Sequence, residues 1–248
     1  MPVNALQKGL EILRLLNELE QTYVRHLHKA TGLPKATIVR MIDTLVDAGY
    51  VMRGDNGECI LTAKVLALSQ GYHADDHLLA IAAPILDRFR QEHSWPTDMA
   101  RFDQNAMVIL DTSRSTGTLS LNRSIGSRLP VMVTALGRAW LGFCEPDERQ
   151  RALEALERLP TPWGEMAQDR AKIDLLVAEI QARGYAISDR EYLKYTRAVA
   201  VPILLEGRVV ACINMMVVAS AMSMEEAQTI FVAPLRAAAE EIARGLMG

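Results

Sequence analysis

Apolar residues recur at helical spacing near the start of the chain. Leu6, Leu10, Leu13, Leu16 and Leu19 predict a helix over about 4–20, with Asn4 as its cap. Ile12 and Leu15 widen that stripe beyond one buried face, which points to a second contact such as a partner subunit. A short helix over about 24–30 follows, then Thr31-Gly32-Leu33 as a turn. Pro34 opens a third helix, where its fixed φ and missing N–H cost nothing. Ile38, Val39, Ile42, Leu45 and Val46 face inward on it, and Gly49 ends it. Between Tyr50 and Leu61, two short strands flank Gly54-Asp55-Asn56-Gly57, a strong hairpin signal.

Thr62 then caps a Leu-rich helix over 63–75 that spaces two domains, with the boundary near 75. The Asp75-Asp76 pair starts a helix through about 92, with Leu79, Ile81, Ala82, Ile85, Leu86 and Phe89 inward. Beyond Trp95-Pro96 the period changes to strands over 98–103, 106–113 and 118–123, the last ended by a turn at 126–130. Helices are expected at about 134–144, 147–158 and 168–183. Strands over 197–205 and 208–217 flank the hairpin signal Glu206-Gly207, and a helix over 224–246 closes the chain. The order predicts an α+β chain: a winged helix-turn-helix over 1–62, a linker helix over 63–75, and a domain with a mainly antiparallel sheet over 76–248.

Half of the 248 residues are apolar and 23% are charged, enough apolar surface to exclude a disordered chain. No apolar stretch approaches the roughly 18 residues of a membrane span, and Met-Pro-Val-Asn lacks the cationic start of a secretory signal. The chain therefore reads as cytoplasmic, with no membrane partner. Cys59, Cys144 and Cys212 lie far apart, so they read as reduced, buried thiols rather than disulfides or zinc ligands.

A net charge of −3 would argue against a nucleic-acid partner, but its distribution does not. Residues 1–74 carry eight Lys/Arg against seven Asp/Glu, a net of +1; the rest carry nineteen against twenty-three, a net of −4. Residues 21–42 hold no acid, yet include Arg25, Lys29, Lys35 and Arg40. Basic and polar residues at the start of the second helix of a helix-turn-helix form a recognition arrangement. Arg40 could read a guanine edge; Lys35, Ala36 and Thr37 stand beside it, and Arg25, Lys29 and the wing's Arg53 suit phosphate. The rival reading of the same segment is an oligomerisation module that never meets DNA.

The second domain lacks phosphate-loop, dinucleotide, zinc-protease and nucleophile-elbow motifs, so neither a cofactor nor an enzymatic activity is assigned. His73 and His77 stand four apart around Asp75-Asp76, which reads as a solvated junction rather than a metal site. Small-molecule binding fits better. Thr134 caps a helix whose N–H groups at Ala135, Leu136 and Gly137 suit a carboxylate. Met132, Arg123, Ser188, Asp189, Ala198, Ala200, Cys212 and Asn214 complete the candidate effector wall.

The sequence resembles the IclR family of bacterial transcriptional regulators. The likeness rests on Leu33-Pro34-Lys35-Ala36-Thr37-Ile38-Val39-Arg40, Leu45-Val46-Asp47-Ala48-Gly49-Tyr50-Val51, Thr134-Ala135-Leu136-Gly137-Arg138-Ala139, Arg183-Gly184-Tyr185-Ala186 and Ala200-Val201-Pro202-Ile203. Trp95-Pro96-Thr97-Asp98 and Ala219-Ser220-Ala221-Met222 look like the subgroup that activates (hydroxyphenyl)propionate and related aromatic-acid catabolism. The resemblance implies a GAF/PAS-like effector domain, homodimers or homotetramers, a palindromic double-stranded operator and a small organic acid effector. Tyr195 stands where the family usually has Gly, and Ala198 where Cys is frequent; a bulkier, less polar pocket would suit an aromatic acid. A carrier or enzyme whose N-terminal domain only oligomerises, and a ligand-independent DNA-binding protein, stay open as alternatives.

Overall fold

The computed structural model describes residues 2–19, 22–71, 76–113 and 124–248. The chain divides into two compact units, Met1–Ala74 and Asp75–Gly248. The expected strand over 118–123, Arg123 with it, His73 and the end of the 63–75 segment lie outside the described residues.

The first unit packs α1 (Asn4–Glu18), α2 (Val24–Thr31) and α3 (Lys35–Asp47) around a hairpin of β1 (Val51–Arg53) and β2 (Cys59–Leu61). Its core is Ile12, Leu16, Leu27, Ile38, Ile42, Val51 and Cys59. Gly32 takes φ +67° at the end of α2, a left-handed conformation that turns the chain sharply into α3. Thr31 Oγ bonds Leu27 O at 2.7 Å, and His28 Nδ1 donates to Leu33 O at 2.7 Å, fixing that turn. Gly57 N donates to Gly54 O at 2.9 Å across the hairpin tip.

Three local expectations shift. Val3, not Asn4, stands at the cap of α1 and makes no side-chain bond. Pro34 occupies the cap position of α3, with its carbonyl accepting from Thr37 and Ile38. The face of α1 centres on Ile12 and Leu16, which leaves Leu6 61% and Leu10 57% exposed. The 63–75 segment also differs: Ala63–Leu68 forms a 3-10 helix rather than the first turns of a long α-helix. Thr62 Oγ holds Gly49 O at 2.6 Å, and Lys64 Nζ holds Ala48 O at 2.8 Å, so this segment is tied to the end of α3.

The second unit comprises α4 (Asp76–His93), β3 (Thr97–Asp103), β4 (Ala106–Thr112), β5 (Arg128–Leu129), α5 (Ala135–Phe143), α6 (Pro146–Leu156), α7 (Pro162–Gln168), α8 (Arg170–Arg183), β6 (Ala186–Asp189), β7 (Thr196–Leu205), β8 (Arg208–Val218) and α9 (Met224–Met247). The described strands form one antiparallel sheet in the order β5-β4-β3-β8-β7-β6. Period-two alternation splits it into two faces. Val199, Val201, Ile203, Ile213, Met215 and Val217 pack against α4 and α9. Ala198, Ala200, Cys212 and Met216 pack on the opposite side with α5 to α8. The small residues on that second face let α5 lie close to the sheet.

Candidate functional site

The first candidate surface is the start of α3. Lys35, Ala36 and Arg40 are exposed and Thr37 is half-buried, while Ile38 and Ile42 anchor the helix from below. Among the described residues, the first turn of α3 carries no acid. Arg25 and Lys29 on α2 are also exposed. The Arg25 guanidinium lies 4.5 Å from the Tyr23 ring centroid and its Nε 3.2 Å from His26 Nε2, which narrows its range of orientations. Arg53 stands apart from this group. It donates to Asp43 Oδ1 at 2.6 Å, so it pins the wing to α3 and has its charge met by a carboxylate of the chain. An N-terminal recognition turn bearing lysine, threonine and arginine can hold phosphate and read base edges in a major groove.

The second candidate site surrounds the start of α5. Thr134 caps the helix as expected, but its hydroxyl accepts from Gly137 N at 3.1 Å. Gly137 therefore offers no free N–H, and a Cβ there would lie 2.3 Å from Val131 O. Among the described residues, Ala135 and Leu136 carry the N–H groups left open at that end. Ser188 Oγ donates to Val133 O at 2.7 Å, tying β6 to the loop before α5.

The structure brings Met132, Thr134, Ala135, Leu136, Ser188, Ala198, Ala200, Cys212 and Asn214 into the layer between sheet and α5. Asp189 is a correction. It follows Ser188 on the strand, so alternation sends it to the opposite face. There it accepts from Arg197 Nε at 2.9 Å and from Arg190 Nε at 2.9 Å.

Sequence reasoning missed three charged residues here. Asp98 is fully buried opposite Asn214; its N–H donates to Asn214 Oδ1 at 2.8 Å, and its carboxylate accepts from Thr112 Oγ at 2.7 Å. Arg138 is buried within α5 and forms a bidentate pair with Glu191. The available signal was an arginine alone in the otherwise apolar run Ala-Leu-Gly-Arg-Ala-Trp-Leu-Gly-Phe, since a cation there needs a carboxylate.

Burial pushes the Cys144 thiol up to about 12 and raises that of Cys212, which favours the protonated thiol at neutral pH. Among the described residues, no group of three or more His, Cys, Asp or Glu could hold a metal ion. No described helix is long and apolar enough to cross a membrane.

Comparison with known proteins matches both units to one family. The family described as bacterial transcriptional regulator IclR C-terminal matches residues 70–244, and the IclR helix-turn-helix domain matches residues 5–55. The HTH-type transcriptional regulator TsaQ1/TsaQ2 of Comamonas testosteroni is 32% identical over 209 residues, covering 83% of this chain and 74% of that protein. The Pca regulon regulatory protein of Pseudomonas putida is 25% identical over 249 residues, covering 99% and 85%. An IclR homolog from Microbacterium hydrocarbonoxydans, solved in complex with 4-hydroxybenzoate, superposes with a TM-score of 0.69 at 22% identity, covering 98% of this chain and 99% of that one.

Proposed function

The chain belongs to the IclR family of bacterial transcriptional regulators, and from that premise we propose that it controls an aromatic-acid catabolic operon. The first unit binds a palindromic operator, with Lys35, Thr37 and Arg40 in the major groove and Arg25 and Lys29 on phosphates. The observation that carries this is the exposed, acid-free start of α3 set on a buried apolar base. A homodimer would present two such helices and a homotetramer four, and the exposed Val3, Leu6 and Leu10 at the start of α1 supply an apolar stripe for a second copy.

The second unit takes a small aromatic carboxylate in the layer around α5. Similarity to a Pca regulon regulator and to a homolog that holds 4-hydroxybenzoate supports that class of effector. The acid acts only through differential affinity for two arrangements of the paired DNA-binding units.

Gel retardation of the gene's upstream region, with and without hydroxylated aromatic acids, tests both halves. A specific shift altered by one acid is expected. A shift indifferent to every acid discards the effector, and no specific shift at low salt discards DNA binding. Arg40→Ala should cost roughly 1–3 kcal/mol at the operator and relax base preference; an equal loss on random DNA would reassign Arg40 to phosphate.

A further inference from the structure

Arg138 is the single charged residue of α5, and its side chain is only 10% exposed. Its Nε donates to Met132 O at 3.0 Å and one terminal nitrogen to Ile187 O at 3.1 Å. The two terminal nitrogens also grip both oxygens of Glu191, the first at 2.5 Å. A guanidinium this deeply buried needs a counterion, because its desolvation is otherwise uncompensated. Glu191 is under no such constraint. Its side chain is 37% exposed, on the bends between β6 and β7, and water can receive it when it leaves.

Arg138 also lines a cleft of about 730 Å³ beside α7 and α8. Met132, Met166, Ile173 and Leu176 give that cleft an apolar wall; at its edge Asp169 and Lys172 neutralise each other at 3.1 Å, Glu179 is paired with Arg183 at 2.9 Å, and Glu165 adds one further carboxylate. Its volume is that of a site for a small organic molecule. An apolar wall with one planar, bidentate cation matches an amphipathic carboxylate. We propose that this cleft receives the acid, whose carboxylate takes Arg138 from Glu191. The chain's own glutamate holds the place of the ligand until the ligand arrives. This rests on reading the second unit as a receptor for an organic carboxylate. Of the residues gathered between sheet and α5 only Met132 lines this cleft, so the acid sits on the Arg138 side of α5, with Arg138 as the cation that recognises it and Glu191 as its competitor. Released Glu191 frees the connection between β6 and β7, which converts occupancy into a change at the sheet edge.

The test is calorimetric titration of the full-length chain with benzoate, 4-hydroxybenzoate and 3-phenylpropionate, each against its neutral amide. Glu191→Gln should tighten the acid that binds by roughly tenfold, the scale of one charge-assisted hydrogen bond, and leave its amide unchanged. Arg138→Gln should abolish the preference for acid over amide, with circular dichroism confirming that the variant is folded. Should Arg138→Gln fail to fold, the Glu191→Gln comparison alone decides. Tightening of acid and amide alike would mean a loosened fold rather than a removed competitor, and overturns the proposal. An acid that binds the wild type but is indifferent to Glu191→Gln overturns the exchange while leaving the receptor reading intact. No binding of any acid to either form overturns both.

Discussion

Leu27→Ala should unfold the first unit while the second stays folded. Leu27 is fully buried in the small core of the first unit, between the helices that carry Arg25, Lys29 and Arg40. Truncating a buried leucine removes its transfer free energy and leaves a cavity, about 2.7–5 kcal/mol together. At about 0.05–0.15 kcal/mol per residue, a unit spanning Met1–Ala74 has a total of only about 4–11 kcal/mol. The substitution thus consumes about a quarter of the unit's stability at least, and from about 70% to more than all of it at the lower bound. The readout is built into the sequence, because Trp95, Trp140 and Trp163 all lie in Asp75–Gly248. Tryptophan fluorescence therefore follows the second unit alone, whereas far-ultraviolet circular dichroism follows both. In a urea titration, Leu27→Ala should add an early dichroism phase at least about 1 M below the wild-type transition and leave the fluorescence midpoint in place. Operator retention should disappear under conditions where acid binding persists. A fluorescence midpoint that falls in step with the dichroism would refute the independence of the units, and an unmoved dichroism curve would refute the assigned core.

Gly137→Ala should destabilise the second unit by about 1–3 kcal/mol or more, since the added Cβ meets backbone atoms of Val131 at 2.3 and 2.4 Å that no side-chain rotation relieves; a fluorescence melting temperature equal to wild type would contradict this. The three cysteines are buried and their thiols are raised, Cys144 to about 12, so a thiol-reactive chromophore at pH 8 should label the native chain slowly and all three sites in guanidinium. Fast labelling of Cys144 in the native state would be inconsistent with its placement. Glu226 accepts from the Ser223 backbone N–H in the capping box of α9, which holds its carboxyl below the ordinary 4.5. A depressed carboxyl contributes stability above about pH 4.5 that is lost as pH falls through the lower folded value. The difference in melting temperature between wild type and Glu226→Gln should accordingly be constant above pH 5 and shrink below 4.5; a gap that persists into acid would remove Glu226 from the cap.

Local chemistry made the first unit legible. Gly32 announces the turn, Asp55-Asn56-Gly57 announces the hairpin, and Ile38 and Ile42 mark the inward side of α3. What local chemistry could not set was the rotation of α1. Leu6 and Leu10 keep helical spacing as well as Ile12 and Leu16 do, and only the packing partners choose between the two stripes. In the second unit β6 is four residues of Ala-Ile-Ser-Asp, too short and too polar to show a period, and its strand character comes from pairing with β7. The α7 helix was marked in the sequence by Thr161 as cap and Pro162 after it, a signal shorter than the apolar windows used to find helices. Asp189 follows Ser188 in the chain, and a strand sends adjacent residues to opposite faces.

The two faces of the sheet differ in where polar side chains are buried. Against α4 and α9 the strands present mainly valine, isoleucine and methionine, which stabilise by burial and need no partner. Against α5 the strands present alanines, Cys212, Ser188, Asn214 and Asp98 beside Met107, Ile109, Leu129 and Met216, and the helix adds Thr134 and Arg138. Small side chains bury little apolar area, and each polar group there costs free energy unless hydrogen-bonded. Paired buried charges are at best neutral beside well-packed hydrophobes, so Arg138–Glu191 is a weak choice for holding α5 in place. It is a strong choice for a contact that is to be exchanged, because a carboxylate from outside can satisfy the same guanidinium. Both sides of the sheet carry a large apolar core, so the α5 side can keep a few polar groups whose partners change without giving up its packing.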